Sequence, residues 1–177
     1  MDSYPRAAGR VVYVVACAAL PARAIGEFVR LLQDRDWVVC VVATPRAASW
    51  MDVTGLAALT GYPVRSDYKH PDAPDVLPRP DVVAVVPATF NTVNKWAAGI
   101  SDTLALGILN EALGAGLPVV VCPCVKPPLS DHPAFARSVA FLRDCGVRLT
   151  PTDAVRPDDE GPYRWEVIVD AVTASVQ

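Results

Sequence analysis

The chain has 177 residues, of which 52% are hydrophobic and 20% charged, and its formal net charge is −3. This composition predicts one folded domain over residues 1–177 and excludes a disordered chain. The acidic balance argues against nucleic acid as a partner. No apolar run reaches the roughly 18–20 residues that a bilayer-spanning helix needs, so no membrane partner is expected.

Short runs of β-branched residues alternate with amphipathic segments along the whole chain. In chain order they predict a strand at 11–15, a helix at 22–32, a strand at 37–42, a helix at 47–59, a strand at 82–86, helices at 92–98 and 103–115, a strand at 118–123, a helix at 132–144, a strand at 147–149 and a helix at 165–176. Loops are expected at 67–80, 124–130 and 150–163. Strands that alternate with helices predict the α/β class with a doubly wound parallel sheet.

Such sheets bind ligands at the carboxyl ends of their strands, so the residues that follow each strand are candidates. The first of these turns, at 16–21, contains no glycine. It therefore lacks the Gly-x-Gly-x-x-Gly motif, which disfavours a nicotinamide dinucleotide. Ala16 and Cys17 are small enough for a ligand to approach the backbone, and they equally suit tight packing between strand and helix.

Hydroxyl and amide side chains follow the second and third strands. The hydroxyl of Thr44 suits either a phosphate oxygen or the cap of the next helix, and Ser49 lies nearby. The run Pro-Ala-Thr-Phe-Asn-Thr at 87–92 places Asn91 where its amide suits a ring carbonyl or nitrogen, and Thr92 suits a helix cap. For Ser101 and Asp102, before the next helix, simple capping is the favoured interpretation.

Cations and imidazoles are few near these turns. Lys126 lies in a loop with three prolines at 123–129, where it suits a substrate carboxylate or phosphate, or simple solvation. The chain has two histidines. His70, in the loop at 67–80, is a candidate acid or base, or an exposed loop residue. His132 is expected to shape the start of a helix.

The five cysteines are odd in number and irregularly spaced. This pattern predicts reduced thiols in a cytoplasmic protein, and the first residues lack the profile of a signal peptide. Cys122 and Cys124 are separated by one residue, so they do not match the Cys-x-x-Cys redox or zinc motif. With two histidines in the chain, no metal site is predicted.

The run at 84–92, together with Lys-Trp-Ala-Ala-Gly-Ile-Ser-Asp-Thr-Leu at 95–104, resembles the homo-oligomeric flavin-containing cysteine decarboxylases. That family includes phosphopantothenoylcysteine decarboxylase and enzymes that act on the C-terminal cysteine of peptides. The resemblance implies a Rossmann-like, three-layer flavoprotein fold, FMN as cofactor, a trimer or a multiple of trimers, and oxidative decarboxylation of a small-molecule or peptide cysteine. The residues it places near FMN are Ala16, Cys17, Thr44, Ser49, Ala88, Thr89, Asn91, Ser101 and Asp102.

The resemblance assigns catalysis to His70 and Lys126, and both positions depart from the family pattern. The family's catalytic histidine aligns with His70 only across a small insertion. Its Pro-x-Met-Asn motif is Pro-Cys-Val-Lys at 123–126, and the loop at 150–163 lacks the family's clamp cysteine. Two alternatives follow: an FMN-binding protein without decarboxylase activity, and a flavin prenyltransferase, which the glycine-free first turn disfavours.

Overall fold

Five strands and eight α-helices make up the part of the chain that the computed structural model describes, residues 5, 7–156 and 161–176. In chain order they are β1 (Val11–Ala16), α1 (Ile25–Gln33), β2 (Val38–Ala43), α2 (Pro45–Ala48), α3 (Val53–Thr60), β3 (Val82–Ala88), α4 (Phe90–Ala97), α5 (Leu104–Gly114), β4 (Val119–Pro123), α6 (Pro127–Ser130), α7 (Pro133–Asp144), β5 (Arg148–Leu149) and α8 (Glu166–Ala174). A 3₁₀ turn, Leu20–Ala24, precedes α1.

The strands form one parallel sheet in the order β2-β1-β3-β4-β5. Val12 of β1 lies opposite Val39 on one side and Val82 on the other. Because all strands run the same way, their carboxyl ends share one edge, and the chain reverses its direction of winding between β1 and β3. The predicted doubly wound α/β fold is therefore confirmed.

Alternate residues of each strand feed two apolar cores, one on each face of the sheet. Helices α1, α3 and α8 cover the first face, where Phe28 and Ile168 are fully buried. Helices α4, α5 and α7 cover the second face around Trp96, Leu109 and Leu142. Burial of each such side chain contributes about 1.5–3 kcal/mol, so both helix layers are firmly attached to the sheet.

Two of the predicted helices differ from the structure, one because it is divided into two helices and one because it begins later. The helix predicted at 47–59 is two helices, because the Asp52 side chain accepts a hydrogen bond from the backbone N–H of Gly55 (2.9 Å) and starts α3 anew. The helix predicted from 22 begins as the 3₁₀ turn, and α1 starts at Ile25. Residues 127–130, predicted as loop, form the single turn α6.

The long loop between α3 and β3 crosses the β2 edge of the sheet. Arg65 forms an isolated parallel bridge with Val42, which extends that edge by one residue. The Tyr68 hydroxyl then donates to the backbone oxygens of Ser101 (3.2 Å) and Thr103 (3.1 Å). Gly107 makes this contact possible, because a Cβ atom there would lie 2.4 Å from the tyrosine oxygen.

In the described residues no helix combines the length and the apolar character needed to cross a membrane. The predicted loop at 150–163 is described at 150–156 and 161–163, whereas residues 157–160 lie outside the described part.

The buried thiol of Cys40 in β2 makes the free energy of unfolding depend on pH in the alkaline range. Burial raises the pKa of Cys40 from 9.0 to about 12. Below pH 9 the thiol is protonated in both states, whereas between pH 9 and 12 only the unfolded chain loses the proton. We therefore expect the free energy of unfolding to fall by about 1.4 kcal/mol per pH unit in that window from this thiol.

Urea denaturation at several pH values measures this slope. Above pH 9, the free energy of unfolding of Cys40→Ala should fall less steeply with pH than that of the unsubstituted chain. Cys145→Ala removes an exposed thiol and should keep the full slope. Equal slopes in all three proteins would contradict the assignment.

Candidate functional site

The turns after β1 and β2 are fixed to the carboxyl edge by backbone hydrogen bonds. The N–H of Cys17 donates to the oxygen of Pro87 (3.0 Å), which joins the β1 turn to the end of β3. The N–H of Thr44 donates to the oxygen of Ala16 (2.9 Å). The structure thus brings Ala16, Cys17 and Thr44 together, as the sequence predicts.

The turns after β3 and β4 join the same edge. The N–H of Cys124 donates to the oxygen of Ala88 (2.8 Å), so Ala88 and Thr89 lie between the β1 turn and the β4 turn. The N–H of Asp153 donates to the oxygen of Pro123 (2.7 Å), which brings the segment 150–156 alongside. Four strand ends therefore meet around the point where the winding direction reverses.

Thr89, and not Thr92 as predicted, caps α4. Its Oγ1 accepts from the N–H of Thr92 (3.4 Å) and lies 3.1 Å from the Thr92 hydroxyl. The predicted start of this helix at 92 is wrong, because β3 continues to Ala88 and the cap follows at once. The backbone N–H groups of Phe90 and Asn91, in the first turn of α4, have no hydrogen-bond acceptor among the described residues, as is usual at the start of a helix.

Asn91 is exposed, and its side-chain amide makes no hydrogen bond within the described residues. An amide offers both donors and acceptors, so it suits a heterocycle that carries ring nitrogens and carbonyls. The structure therefore places an unengaged amide beside two open backbone N–H groups.

Cys17 lies beneath this turn and contributes no charge. Cys17 is 1% exposed, and its thiol contacts the hydroxyls of Thr89 and Thr92. Burial raises the pKa of Cys17 above 9.0 despite these hydrogen bonds. The side chain is a small neutral support for the first turn of α4.

Thr44 and Ser49, the predicted phosphate ligands after β2, form hydrogen bonds with the backbone of neighbouring residues. The Thr44 Oγ1 accepts from the N–H of Ala47 (3.3 Å) and so caps α2, and the Ser49 hydroxyl donates to the oxygen of Arg46 (2.8 Å). As a hydrogen-bond acceptor, the Thr44 hydroxyl keeps its proton for donation to an anion.

Ser101 and Asp102 lie in the turn between α4 and α5, and other side chains engage both. Asn110 donates from its Nδ2 to the Ser101 Oγ (2.8 Å), and Asp102 pairs with Lys95. The cap of α5 is Thr103, which accepts from the N–H of Leu106 (3.3 Å). The expected capping by Ser101 or Asp102 is wrong, and their role near a cofactor stays a prediction.

The two predicted catalytic residues lie in different places. Lys126 follows β4 at the carboxyl edge, is exposed, and forms no side-chain hydrogen bond or ion pair with the described residues. His70 lies in the long loop after α3, where its Nδ1 is 3.3 Å from a carboxylate oxygen of Asp72. Its side chain makes no hydrogen bond to the described turns of the edge.

Sequence reasoning missed the position of His132. This residue caps α7, because its Nδ1 accepts from the N–H of Ala134 (3.1 Å), and its ring meets Phe90 edge-on at 5.7 Å. It is thus the imidazole beside the first turn of α4. The Asp-His-Pro run signalled the cap, but only the packing of α7 on α4 reveals the neighbour.

The reversal between β1 and β3, with small residues and a capped helix at that point, defines a doubly wound α/β protein with the flavodoxin-like strand order. A family model described as "Flavoprotein" matches residues 3–177, and the chain belongs to this family. Membership supports a flavin as the cofactor.

Curated relatives match part of the chain. A cysteine/cysteine sulfinic acid decarboxylase from an unknown prokaryotic organism is 33% identical over 97 residues, which is 51% of this chain and 26% of that protein. The coenzyme A biosynthesis bifunctional protein CoaBC of Mycobacterium bovis is 34% identical over 123 residues, 67% of this chain and 29% of that protein. The matches thus span less than a third of either relative.

Solved structures share the fold over nearly the whole chain. The cypemycin decarboxylase CypD has a TM-score of 0.74 at 21% identity and covers 98% of this chain and 97% of its own. The FMN-dependent cysteine decarboxylase SpaF has a TM-score of 0.73 at 23% identity, with 96% and 98% covered. The flavoprotein family and the Rossmann-like three-layer fold inferred from the sequence are confirmed, whereas the homo-oligomeric state stays a prediction.

The Thr89 cap provides a test of the local structure. We expect Thr89→Ala to lower the free energy of unfolding by about 1 kcal/mol, because an orphan N–H of α4 loses its acceptor. Thr89→Ser keeps the hydroxyl and should stay within a few tenths of a kcal/mol of the unsubstituted chain. Urea denaturation compares the three proteins. If Thr89→Ala had the same free energy of unfolding as the unsubstituted chain, the cap would contribute nothing to stability.

Proposed function

We propose that this protein binds FMN at the carboxyl edge of its sheet and catalyses oxidative decarboxylation of a cysteine-containing compound or peptide. The observation that carries this proposal is the unengaged amide of Asn91 beside the open N–H groups at the start of α4. Family membership and the relatives named as cysteine decarboxylases support it.

The donor set of the edge fits FMN. The backbone N–H of Ala18 has no hydrogen-bond acceptor within the described residues, and no bulky side chain occupies 16–19. The Thr44 hydroxyl keeps a proton for a phosphate oxygen. Asn91 would hold the edge of the isoalloxazine, with Ala88 and Thr89 beside it.

When bound, FMN supplies a two-electron oxidant for the thiol of the substrate. Such an oxidant would remove two electrons and two protons from the CH₂–SH group of the substrate, which would become a thioaldehyde, and loss of the carboxylate on the adjacent carbon as carbon dioxide would then leave an enethiol. Lys126 would bind the substrate carboxylate through its ammonium group. His70 would hold or accept the thiol proton, and Ser49, Ser101 and Asp102 would complete the surroundings of the cofactor.

The remaining features of the proposal concern the whole protein. We propose one domain over residues 1–177, a homo-oligomer built of trimers, and, because all five cysteines are free, a reducing cytoplasmic environment. A lysine at 126 cannot reproduce the paired donor and acceptor of the family's asparagine. That difference favours, as the second candidate, an FMN-binding protein that does not decarboxylate.

Cofactor binding is tested first, by titration of the flavin-free chain with FMN and measurement of flavin fluorescence and absorbance. We expect Asn91→Ala to weaken binding about threefold to tenfold, the equivalent of one or two lost hydrogen bonds. The control is Gln33→Ala. Gln33 lies at the end of α1, where its side-chain amide donates to the backbone oxygen of Leu59, and its loss should leave the affinity for FMN unchanged. Failure of the unsubstituted chain to bind FMN would overturn the proposal.

Catalysis is tested by mass spectrometry on the FMN-loaded protein, with pantothenoylcysteine, its phosphate and peptides ending in cysteine. We expect loss of carbon dioxide, and a KM about tenfold or more higher in Lys126→Ala because a charged hydrogen bond to the substrate is lost. The matched control, Lys69→Ala, removes a lysine that pairs with Asp75 and should keep the KM.

His70→Asn should lower kcat if the imidazole moves the thiol proton, and unchanged kcat would remove His70 from the mechanism. A protein that binds FMN and releases no carbon dioxide from any of these substrates would favour the second candidate.

A further inference from the structure

A cavity of about 660 Å³ lies on the second face of the sheet, between helix α5 and the roof loop, residues 65–80. Its floor contains Tyr13 and Val83, which are paired across the first halves of β1 and β3. The cavity extends along α5 as far as Leu117, just before β4 begins at the amino edge of the sheet. The described residues that line it include none of the candidate residues at the carboxyl edge, so it is a separate site.

Three contacts hold the roof loop in place over the cavity. At its start the N–H of Arg65 donates to the oxygen of Val41 (3.1 Å), and the Tyr68 hydroxyl then bonds the turn before α5. Near its end the buried Tyr13 hydroxyl donates to the oxygen of Pro78 (2.7 Å). Four prolines further restrict its backbone, namely Pro71, Pro74, Pro78 and Pro80. The cavity therefore has its shape before a ligand arrives, which lowers the entropic cost of binding.

Most of the wall of the cavity is apolar. Leu77 of the roof loop and Leu104 and Ile108 of α5 line it. Tyr68 and Val76 line it as well and are 54% and 39% exposed, so the cavity is accessible from solvent beside them. Cavities of roughly 300–1,000 Å³ with walls of this kind bind small molecules whose body is apolar.

The charged groups around this wall favour an anion. Among the described residues that line the cavity five are charged, and Lys69 and Asp75 pair with each other (3.2 Å). The guanidinium groups of Arg65 and Arg79 and the carboxylate of Glu111 remain, which leaves an excess of positive charge. Within the described part of the chain, the Arg65 side chain makes one hydrogen bond, to a backbone oxygen two residues further on (3.1 Å). A guanidinium carries five N–H donors, so Arg65 retains donors for a carboxylate.

We propose that this cavity binds a small carboxylic acid with an apolar body. The carboxylate pairs with Arg65, and the body lies between the roof loop and α5. The site uses none of the residues assigned to the flavin or to decarboxylation, so it does not depend on the function proposed above. Either proposal can fail while the other holds.

Decanoate is the ligand for the test, and decylammonium is a cation with the same apolar chain. Binding is measured on the full chain, with and without FMN, by displacement of anilinonaphthalene sulfonate, a fluorescent apolar anion. We expect decanoate to bind about tenfold or more tightly than decylammonium, the equivalent of one charged hydrogen bond. FMN should leave the affinity for decanoate unchanged, because the two ligands occupy different sites.

Three variants locate the bound acid. Arg65→Ala should weaken the binding of decanoate about tenfold or more and leave that of the neutral molecule decanol unchanged. The matched control is Arg148→Ala. Arg148 lies in β5, at the opposite edge of the sheet, and likewise donates to a backbone oxygen (3.1 Å), so its loss should change neither affinity. Ile108→Trp fills the cavity from α5 and should weaken the binding of both molecules.

The proposal is wrong if the unsubstituted chain binds decanoate no better than decylammonium, if FMN displaces decanoate, or if folded Arg65→Ala binds decanoate normally. A second copy of the chain that covers the cavity would also contradict it. In that case the fluorescent anion would not bind, and Ile108→Trp would lower the sedimentation coefficient. The comparison of the two ligands on the unsubstituted chain decides the question if a variant does not fold.

Discussion

The hydrogen bond from the N–H of Cys17 to the oxygen of Pro87 is the contact on which the candidate site depends. It joins the β1 turn to the end of β3 across the point where the chain reverses its direction of winding. Parallel strands alone bring these two turns to the same edge, and this bond joins one turn directly to the other beyond the last paired residues, Val15 and Val85. Because both turns are fixed, the first helical turn of α4 lies beside the small residues Ala16 and Cys17 of the β1 turn.

Around that bond, some polar side chains are used to fix the backbone, and others are left without a hydrogen-bond partner among the described residues. Thr44, Thr89 and Thr103 each use a hydroxyl to cap a helix, so their first role is structural. Asn91 and Lys126 have no such role. A site composed in this way keeps its shape without a ligand, because the capping residues do not need the ligand to complete their hydrogen bonds.

The sheet was predictable because runs of valine with few polar residues are typical of strands that are buried on both faces. Helix starts were less predictable, since apolar spacing does not say which polar residue supplies the cap. Asp52 divides one predicted helix, and Thr89 takes the role expected of Thr92. The neighbours of His70 and His132 depend on the path of a long loop and on the packing of α7 against α4, which no local pattern records.

The bridge between Val42 and Arg65 has a consequence for the protein's behaviour at high concentration. A parallel sheet has two edge strands, whose free N–H and C=O groups can pair with another molecule and start aggregation. Here β5 is only two residues long, and the β2 edge is partly covered by a segment that carries a charged side chain. Both edges are thus poor templates for strand addition, so a sheet this rich in valine is protected against edge-to-edge association.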